Sequence, residues 1–432
     1  MTTLTTALLA LSLAQAPQTL TLEDALKRAD EVNLDLKAAQ ARVGVAKAGV
    51  WKAWSYHLLQ VSAQGSYAFN DAKLTFPPHN PAAAANTMYF TIQPWEQTSA
   101  QVQATQVLVA PQLWFAIQSA YRAEDAVVYS VENARREVLF GVAQAYYAVA
   151  SLKRLVEVSQ QLHEIAERQS KDANIRYQAG TVAKVARLRA DMDLARADQD
   201  LLRSRNSYQS ARLSLAILLD RQPDFEVVEP PEPALPADVS GLELGALDNR
   251  PDVKAARALE GVYLSQRRVA AMRYLPTIAA FGRYTYADPP GLTGQTQATA
   301  AGLSFSWTIL DGGLREAELR ETSARIAEAE ANRRNLENRA QAEVRVALLD
   351  LESARANAKK AKEQRDLAAE NQRLVDVSFK AGAATAVEQA DATSALRNAE
   401  IQLATEMLQA QLAAVRVMKA AGTFDPVKAV HR

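Results

Sequence analysis

The chain repeats itself, and that duplication limits its possible folds more than any other feature. Asp35-Leu36-Lys37-Ala38-Ala39 matches Asp252-Val253-Lys254-Ala255-Ala256, an offset of 252 − 35 = 217 residues. The same offset pairs Gly44 with Gly261, Gly65 with Gly282, Tyr67 with Tyr284 and Phe69 with Tyr286. Further on, Val109-Ala110 falls on Ile309-Leu310 at 309 − 109 = 200, so the first repeat carries 217 − 200 = 17 extra residues between its two candidate strands. Tyr177-Gln178-Ala179-Gly180 then aligns with Phe379-Lys380-Ala381-Gly382 at 382 − 180 = 202. So constant a length is expected of rods that must end at one level.

Each repeat reads as helix, strand, loop, strand, long helix, tight turn, helix. The first spans 17–222, with strands at 58–70 and 98–110 around an outer loop at 71–97, then a helical hairpin at 112–219. A Pro-rich linker follows at 223–240, where Pro223, Pro230, Pro231, Pro233 and Pro236 exclude helix. The second repeat spans 241–421, with strands at 275–287 and 299–310 and a hairpin at 312–421, leaving a tail at 422–432.

The stretches 112–178 and 312–380 contain no proline, so each can form one helix of roughly 100 Å at about 1.5 Å per residue. Leu139, Val142, Tyr146 and Val149 recur at spacings of three and four, as do Val185, Leu188, Met192 and Ala195 in the return helix; both are coiled-coil seams. The second repeat has a lighter seam at Ala340, Val344, Ala347, Leu351, Ala354 and Ala358. Gly180 and Gly382 stand where each long helix must stop and supply the left-handed conformation that helix ends favour.

The strand candidates alternate with period two. Val61, Ala63, Gly65, Tyr67 and Phe69 share one face against Ser62, Gln64 and Ser66, and Leu303, Phe305, Trp307 and Ile309 alternate with Gly302, Ser304, Ser306 and Thr308. The strand near Leu275–Ala287 alternates less cleanly. In that near Ser99–Ala110 the apolar face is convincing only at Val107 and Val109. No stretch approaches the about 18 to 20 apolar residues of a spanning helix, so a membrane-spanning form of this chain spans as strands. Four strands cannot close a barrel, and an open apolar sheet would leave unpaired edges in lipid. Chains must therefore pool strands, and two, three or four copies are all geometrically allowed, since closed membrane barrels begin at about eight strands.

Composition removes several functions. Lys plus Arg and Asp plus Glu number 49 each, so no field of one sign recruits nucleic acid, and none is expected as a partner. Hydrophobic residues make up 48%, many of them Ala, with aromatics at 6%, the balance of closely packed long helices instead of a large globular core. The chain has no cysteine, which suits an oxidising compartment. Residues 1–16 read as an export signal: an apolar run from Ala7 to Ala14 ends at small residues, although no Lys or Arg precedes Lys27. Because Pro17 sits badly after a cut at Ala16, Ala14 is the preferred cleavage point.

The duplicated layout from Leu20 to about Gly422 resembles the TolC-type outer-membrane efflux family. The motifs that carry it are Leu22-Glu23-Asp24-Ala25-Leu26, Tyr274-Leu275-Pro276 entering a strand, Leu310-Asp311-Gly312-Gly313 leaving one, and the tip Gly382-Ala383-Ala384-Thr385. The resemblance implies a mainly α fold with a membrane β-barrel, in which long antiparallel coiled-coil helices stand in two structural repeats. Four strands per protomer contribute to a shared trimeric 12-stranded barrel. It further implies a passive exit duct in the outer membrane that extends into the periplasm and reaches an inner-membrane pump through a periplasmic adaptor.

Aligning the second tip on the family pattern places Glu388 and Asp391 at the periplasmic aperture, and the tips Gly180, Thr181, Val182, Gly382, Ala383 and Ala384 where the adaptor docks. The competing reading for Glu388 and Asp391 is a solvated helix start, where the helix dipole favours acids. Ala384 stands where the family often has Arg and Ala186 where it has a carboxylate, so a salt-bridge latch at those positions is absent or rebuilt. In the first repeat Leu58-Leu59 replaces Leu275-Pro276 and Pro111-Gln112-Leu113 replaces Asp311-Gly312-Gly313.

Catalytic chemistry has no local signature. His57, His79, His163 and His431 lie far apart and in no metal-ligand spacing, and no phosphate loop or nucleophile motif is present, so neither enzyme activity nor cofactor nor metal is expected. Lys359-Lys360-Ala361-Lys362 reads as a solvated helix face. Trp51 and Trp54 suit either a membrane interface or packing between helices. The rival reading, a soluble periplasmic scaffold or adaptor, is disfavoured by two equivalent hairpins per chain.

Overall fold

The computed structural model describes residues 18–76, 90–230, 241–290 and 294–424. The expected export signal, residues 77–89 of the outer loop, 231–240 of the linker and 425–432 of the tail lie outside the described residues. In chain order the first elements are β1 (Gln18–Leu20), α1 (Leu22–Val32), α2 (Leu34–Ser55), β2 (Gln60–Phe69), β3 (Leu74–Phe76), β4 (Phe90–Gln93), β5 (Glu96–Val109), α3 (Pro111–Gln178) and α4 (Lys184–Leu218). They are followed by β6 (Phe225–Val227), α5 (Leu242–Asn249), α6 (Pro251–Met272), β7 (Thr277–Asp288), β8 (Gln297–Ser306), α7 (Leu314–Lys380) and α8 (Ala386–Ala420). The chain divides into two compact units: residues up to Gln40, Ser130–Val253 and from Asn335 onward form one, and Ala41–Tyr129 with Lys254–Arg334 the other.

In the first unit the expected seam on α3 is a core. Leu139, Val142, Tyr146 and Val149 are fully buried, packed with Ala25, Leu26 and Ala29 of α1, Leu215 and Leu219 at the end of α4, and Phe225 and Val227 of β6. A second cluster joins Leu242 and Ala246 of α5 to Val344, Ala347 and Leu351 of α7 and Val417 of α8. The 217-residue offset pairs Ala25 with Leu242 and Ala29 with Ala246, so both repeats bury the same helix positions. Thr21 caps α1 by accepting from the Asp24 amide at 3.1 Å.

The helices and the linker depart from the sequence reading in three ways. The helix before each strand pair of the large sheet is broken in two. Asn33 ends α1 and caps α2, its Oδ1 accepting from the amides of Asp35 and Leu36 at 3.0 and 3.1 Å; the equivalent break precedes Pro251, at Arg250. The linker also opens with a strand, because β6 pairs in parallel with β1. Lastly, the return-helix seam is uncovered: Val185, Leu188 and Met192 are 60%, 49% and 69% exposed. Instead α4 buries Ala197, Leu201 and Ser204, of which the small Ala197 and Ser204 allow close approach, and this leaves the heptad stripe pointing away. The exposed stripe continues through Leu202, Leu213 and Ile217, and α7 carries another at Val346, Leu349, Leu367, Leu374 and Val377.

The second unit holds one four-stranded antiparallel sheet in the order β2-β5-β7-β8. Its register gathers the alternating residues. Val61, Ala63 and Gly65 lie opposite Ala104, Val102 and Ala100, Val102 lies opposite Tyr284, and Tyr284 opposite Thr299. The other face carries Gln64, Ser66, Ser99, Gln101 and Gln103, with Ser66 and Ser99 hydrogen-bonded at 2.8 Å. On β5 the apolar stripe is therefore Ala100, Val102 and Ala104. Val107, expected to carry it, stands opposite Ala279 on the polar side, and a register shift before Val109 breaks the period.

The apolar face is bare: Val61, Tyr67, Phe69, Leu303 and Phe305 are between 64% and 71% exposed. The strands are shorter than expected at 58–70 and 299–310. Leu58 closes a turn on Ser55, and 307–310 leave the sheet, where Trp307 Nε1 donates to the Tyr274 carbonyl at 3.0 Å. The outer loop is not wholly irregular, since β3 and β4 pair as a small hairpin within it.

Two motifs distant in sequence meet where the second strand pair joins α7. The Arg315 guanidinium lies 4.4 Å from the Tyr274 ring centroid and donates to Asp311 Oδ2 at 2.7 Å and the Ile309 carbonyl at 3.0 Å. Gly312 and Gly313 have φ of 69° and 91°, left-handed values that only glycine adopts cheaply. In the first repeat Pro111 opens α3 instead, a position where the missing amide proton is no loss.

Candidate functional site

Both hairpin tips are the same backbone device in the first unit. Gly180, at φ 74°, donates to the Tyr177 carbonyl, and Thr181 reaches back to Arg176 at 2.9 Å; Gly382, at φ 80°, and Ala383 do the same to Phe379 and Ser378. This paired reach-back satisfies carbonyls that a helix end leaves open. The next helix starts differently in the two tips. Ala183 offers α4 no side-chain cap, whereas Thr385 and Glu388 form a reciprocal capping box on α8.

The two tips are neighbours. Arg176 lies over the Phe379 ring at 5.1 Å, and a cavity of about 70 Å³ is lined by residues of both hairpins, including Arg176, Val182, Ala186, Phe379, Lys380 and Gln389. Gly180, Thr181, Gly382 and Ala383 are exposed, while Val182 and Ala384 are half-buried. Neither Arg176 nor Phe379 was expected as a site residue, although the repeat does mark the site, placing an aromatic residue three positions before each tip glycine, Tyr177 and Phe379.

Glu388 and Asp391 are both exposed on α8. The Thr385 backbone N–H and then its hydroxyl donate to Glu388 and hold its carboxyl below the usual carboxylate range, at 2.6 and 2.9 Å. Glu388 thus has a helix-capping role and stays ionised in mild acid. Asp376, which the repeat does not mark, accepts from the side-chain amides of Gln372 and Gln389 at 2.8 Å each.

A family model described as outer membrane efflux protein matches residues 25–220 and 245–423. The chain belongs to that family. Among curated proteins none matches the chain. Solved structures share its fold at low sequence identity. CusC, in a study of its folding and transmembrane channel formation, is 16% identical with a TM-score of 0.78, covering 93% of this chain and 91% of its own. The outer membrane protein VceC of Vibrio cholerae is 19% identical at 0.76, covering 93% and 96%. The Campylobacter jejuni outer membrane channel CmeC is 16% identical at 0.78, covering 95% and 88%.

As an outer membrane efflux protein the chain is an efflux channel of the outer membrane that extends into the periplasm. Its sheet suits that location. β2 and β8 are ten residues each, the length of a tilted transmembrane strand, about 9 to 11 residues.

The capping asymmetry gives a local test. Thr385→Ala is expected to destabilise the start of α8 by about 1 kcal/mol. Hydrogen exchange should quicken in 386–392 and stay unchanged in 184–190; equal change in both tips would contradict the assignment.

Proposed function

We propose that three copies of this efflux protein pool their strands into one 12-stranded barrel, and that the assembly is the passive exit duct of a tripartite system. The observation that carries this is the sheet: a bare apolar face between two free edges. The four strands alternate in direction, so β8 of one copy can pair antiparallel with β2 of the next, and the ring closes without a break in the ladder. Uncovered heptad stripes on α4 and α7 support the same association, since packing between copies hides them. The family resemblance supplies the number three.

The hairpin tips are the docking face for a periplasmic adaptor, which links the duct to an inner-membrane pump. Small exposed residues at Gly180, Thr181, Gly382 and Ala383 leave room for a partner's helical hairpin, and Val182 and Ala384 offer apolar contact. Glu388 and Asp391 line the aperture, giving 2 × 3 = 6 carboxylates in a trimer, a ring that favours cations and attracts polyvalent ones. Glu388 combines this with its cap.

Single-channel recording in a planar bilayer tests the proposal. Glu388→Gln with Asp391→Asn is expected to weaken cation selectivity and to reduce block by a trivalent cation added at the tip side about tenfold at low salt. Unchanged selectivity and block would reduce the pair to a helix start and move the aperture elsewhere on the tips.

A further inference from the structure

The polar face of the sheet is uncharged except at one position. β2 contributes Ser62, Gln64 and Ser66 to it, β5 contributes Ser99, Gln101 and Gln103, and β8 only Ala, Gly and Ser. On β7 the face carries Arg283, opposite Gln103 on one side and Ala300 on the other. The arginine is exposed, and among the described residues no carboxylate shares this face with it. Nor does the amide ladder use it: Gln101 Nε2 donates to Gln103 Oε1 and Gln103 Nε2 to Thr105 Oγ1, each at 3.2 Å. A guanidinium serving the fold would be paired with a carboxylate or buried against carbonyls, as Arg315 is.

We infer that Arg283 is a selectivity-determining residue of the barrel interior, giving that section a preference for anions and a transient binding position for multivalent oxyanions. The inference rests on the shared-barrel reading, in which the polar face lines the lumen and each copy contributes one Arg283 at the same level. Low-dielectric walls focus the field of such a ring. The planar fork of donors matches phosphate, sulfonate and carboxylate groups, which a bare point charge would not distinguish as well. The uncharged Gln and Ser neighbours hydrate the passage without neutralising it.

The test uses the purified full-length protein in planar bilayers, with inorganic tripolyphosphate added on the side of the outer loops. At about 0.1 M salt, where the Debye length is about 10 Å, Arg283→Gln is expected to lower the on-rate of block about tenfold, whereas Arg283→Lys keeps most of it. At about 1 M salt, with a Debye length of about 3 Å, the difference should vanish. Equal on-rates in wild type and Arg283→Gln at low salt would overturn the inference, as would a drop in Arg283→Lys as large as in Arg283→Gln. A wild-type protein that forms no conducting pore would instead overturn the barrel reading itself.

Discussion

Val102→Arg is expected to abolish assembly into the outer membrane, while Gln101→Arg, one residue away, leaves it intact. Val102 sits near the middle of β5, flanked on its own face by Ala63 and Tyr284. A lipid-facing arginine at mid-depth costs about 2–4 kcal/mol in each chain, whereas lumen positions tolerate charge. Gln101 points the opposite way, opposite Gln64 and Thr285, where water solvates an added cation. Outer-membrane fractionation with immunodetection reads both variants. If Val102→Arg inserts as well as wild type and Gln101→Arg does not, the faces are reversed.

Tyr146→Ala should unfold the first unit or bring it close to unfolding. Removing a fully buried aromatic side chain costs about 3–5 kcal/mol, and here the loss also strips backbone groups of their partner. The Tyr146 hydroxyl lies 2.7 Å from the carbonyls of both Leu20 and Val228 and accepts from the Val228 amide at 3.2 Å, so one side chain ties β1 and β6 to α3. Tyr146→Phe keeps the ring and should lose about 1–3 kcal/mol. Burial pushes the hydroxyls of Tyr146 and Tyr147 up to about 12. Their folded-state values lie above the unfolded ones, so this stabilisation is complete below about pH 10 and is lost as pH rises towards about 12. Chemical denaturation followed by circular dichroism at pH 8 and pH 11 should show the loss in wild type and a smaller one in Tyr146→Phe. Equal losses would mean that Tyr146 does not titrate in the core.

Much of this architecture was legible because it is periodic. The long helices, the tip glycines and the strands β2 and β8 all follow from spacing in the chain, and the duplication supplied a second reading of each. What escaped was set by contacts between distant segments. β1 and β6 are three residues each and exist because they pair with one another under Tyr146. The stripe of β5 was misread because Ala100 and Ala104 are too small to register as an apolar face, while Val107 is large and points to the polar side. On α4 the heptad stripe is present but uncovered, because Ala197, Leu201 and Ser204 take the contact within the chain. For Glu388 the helix-start reading and the aperture reading are compatible, since the capping box consumes part of one carboxylate and leaves its charge in place.

The shared barrel is the claim on which the duct depends, and the number of chains in the membrane particle tests it most directly. Native mass spectrometry of the detergent-extracted outer-membrane protein should give one species of three chains that dissociates on heating. A single-chain particle, or recovery of the protein from the soluble periplasmic fraction, would contradict it, because the four-stranded sheet would then have to exist with its apolar face and both edges unpartnered.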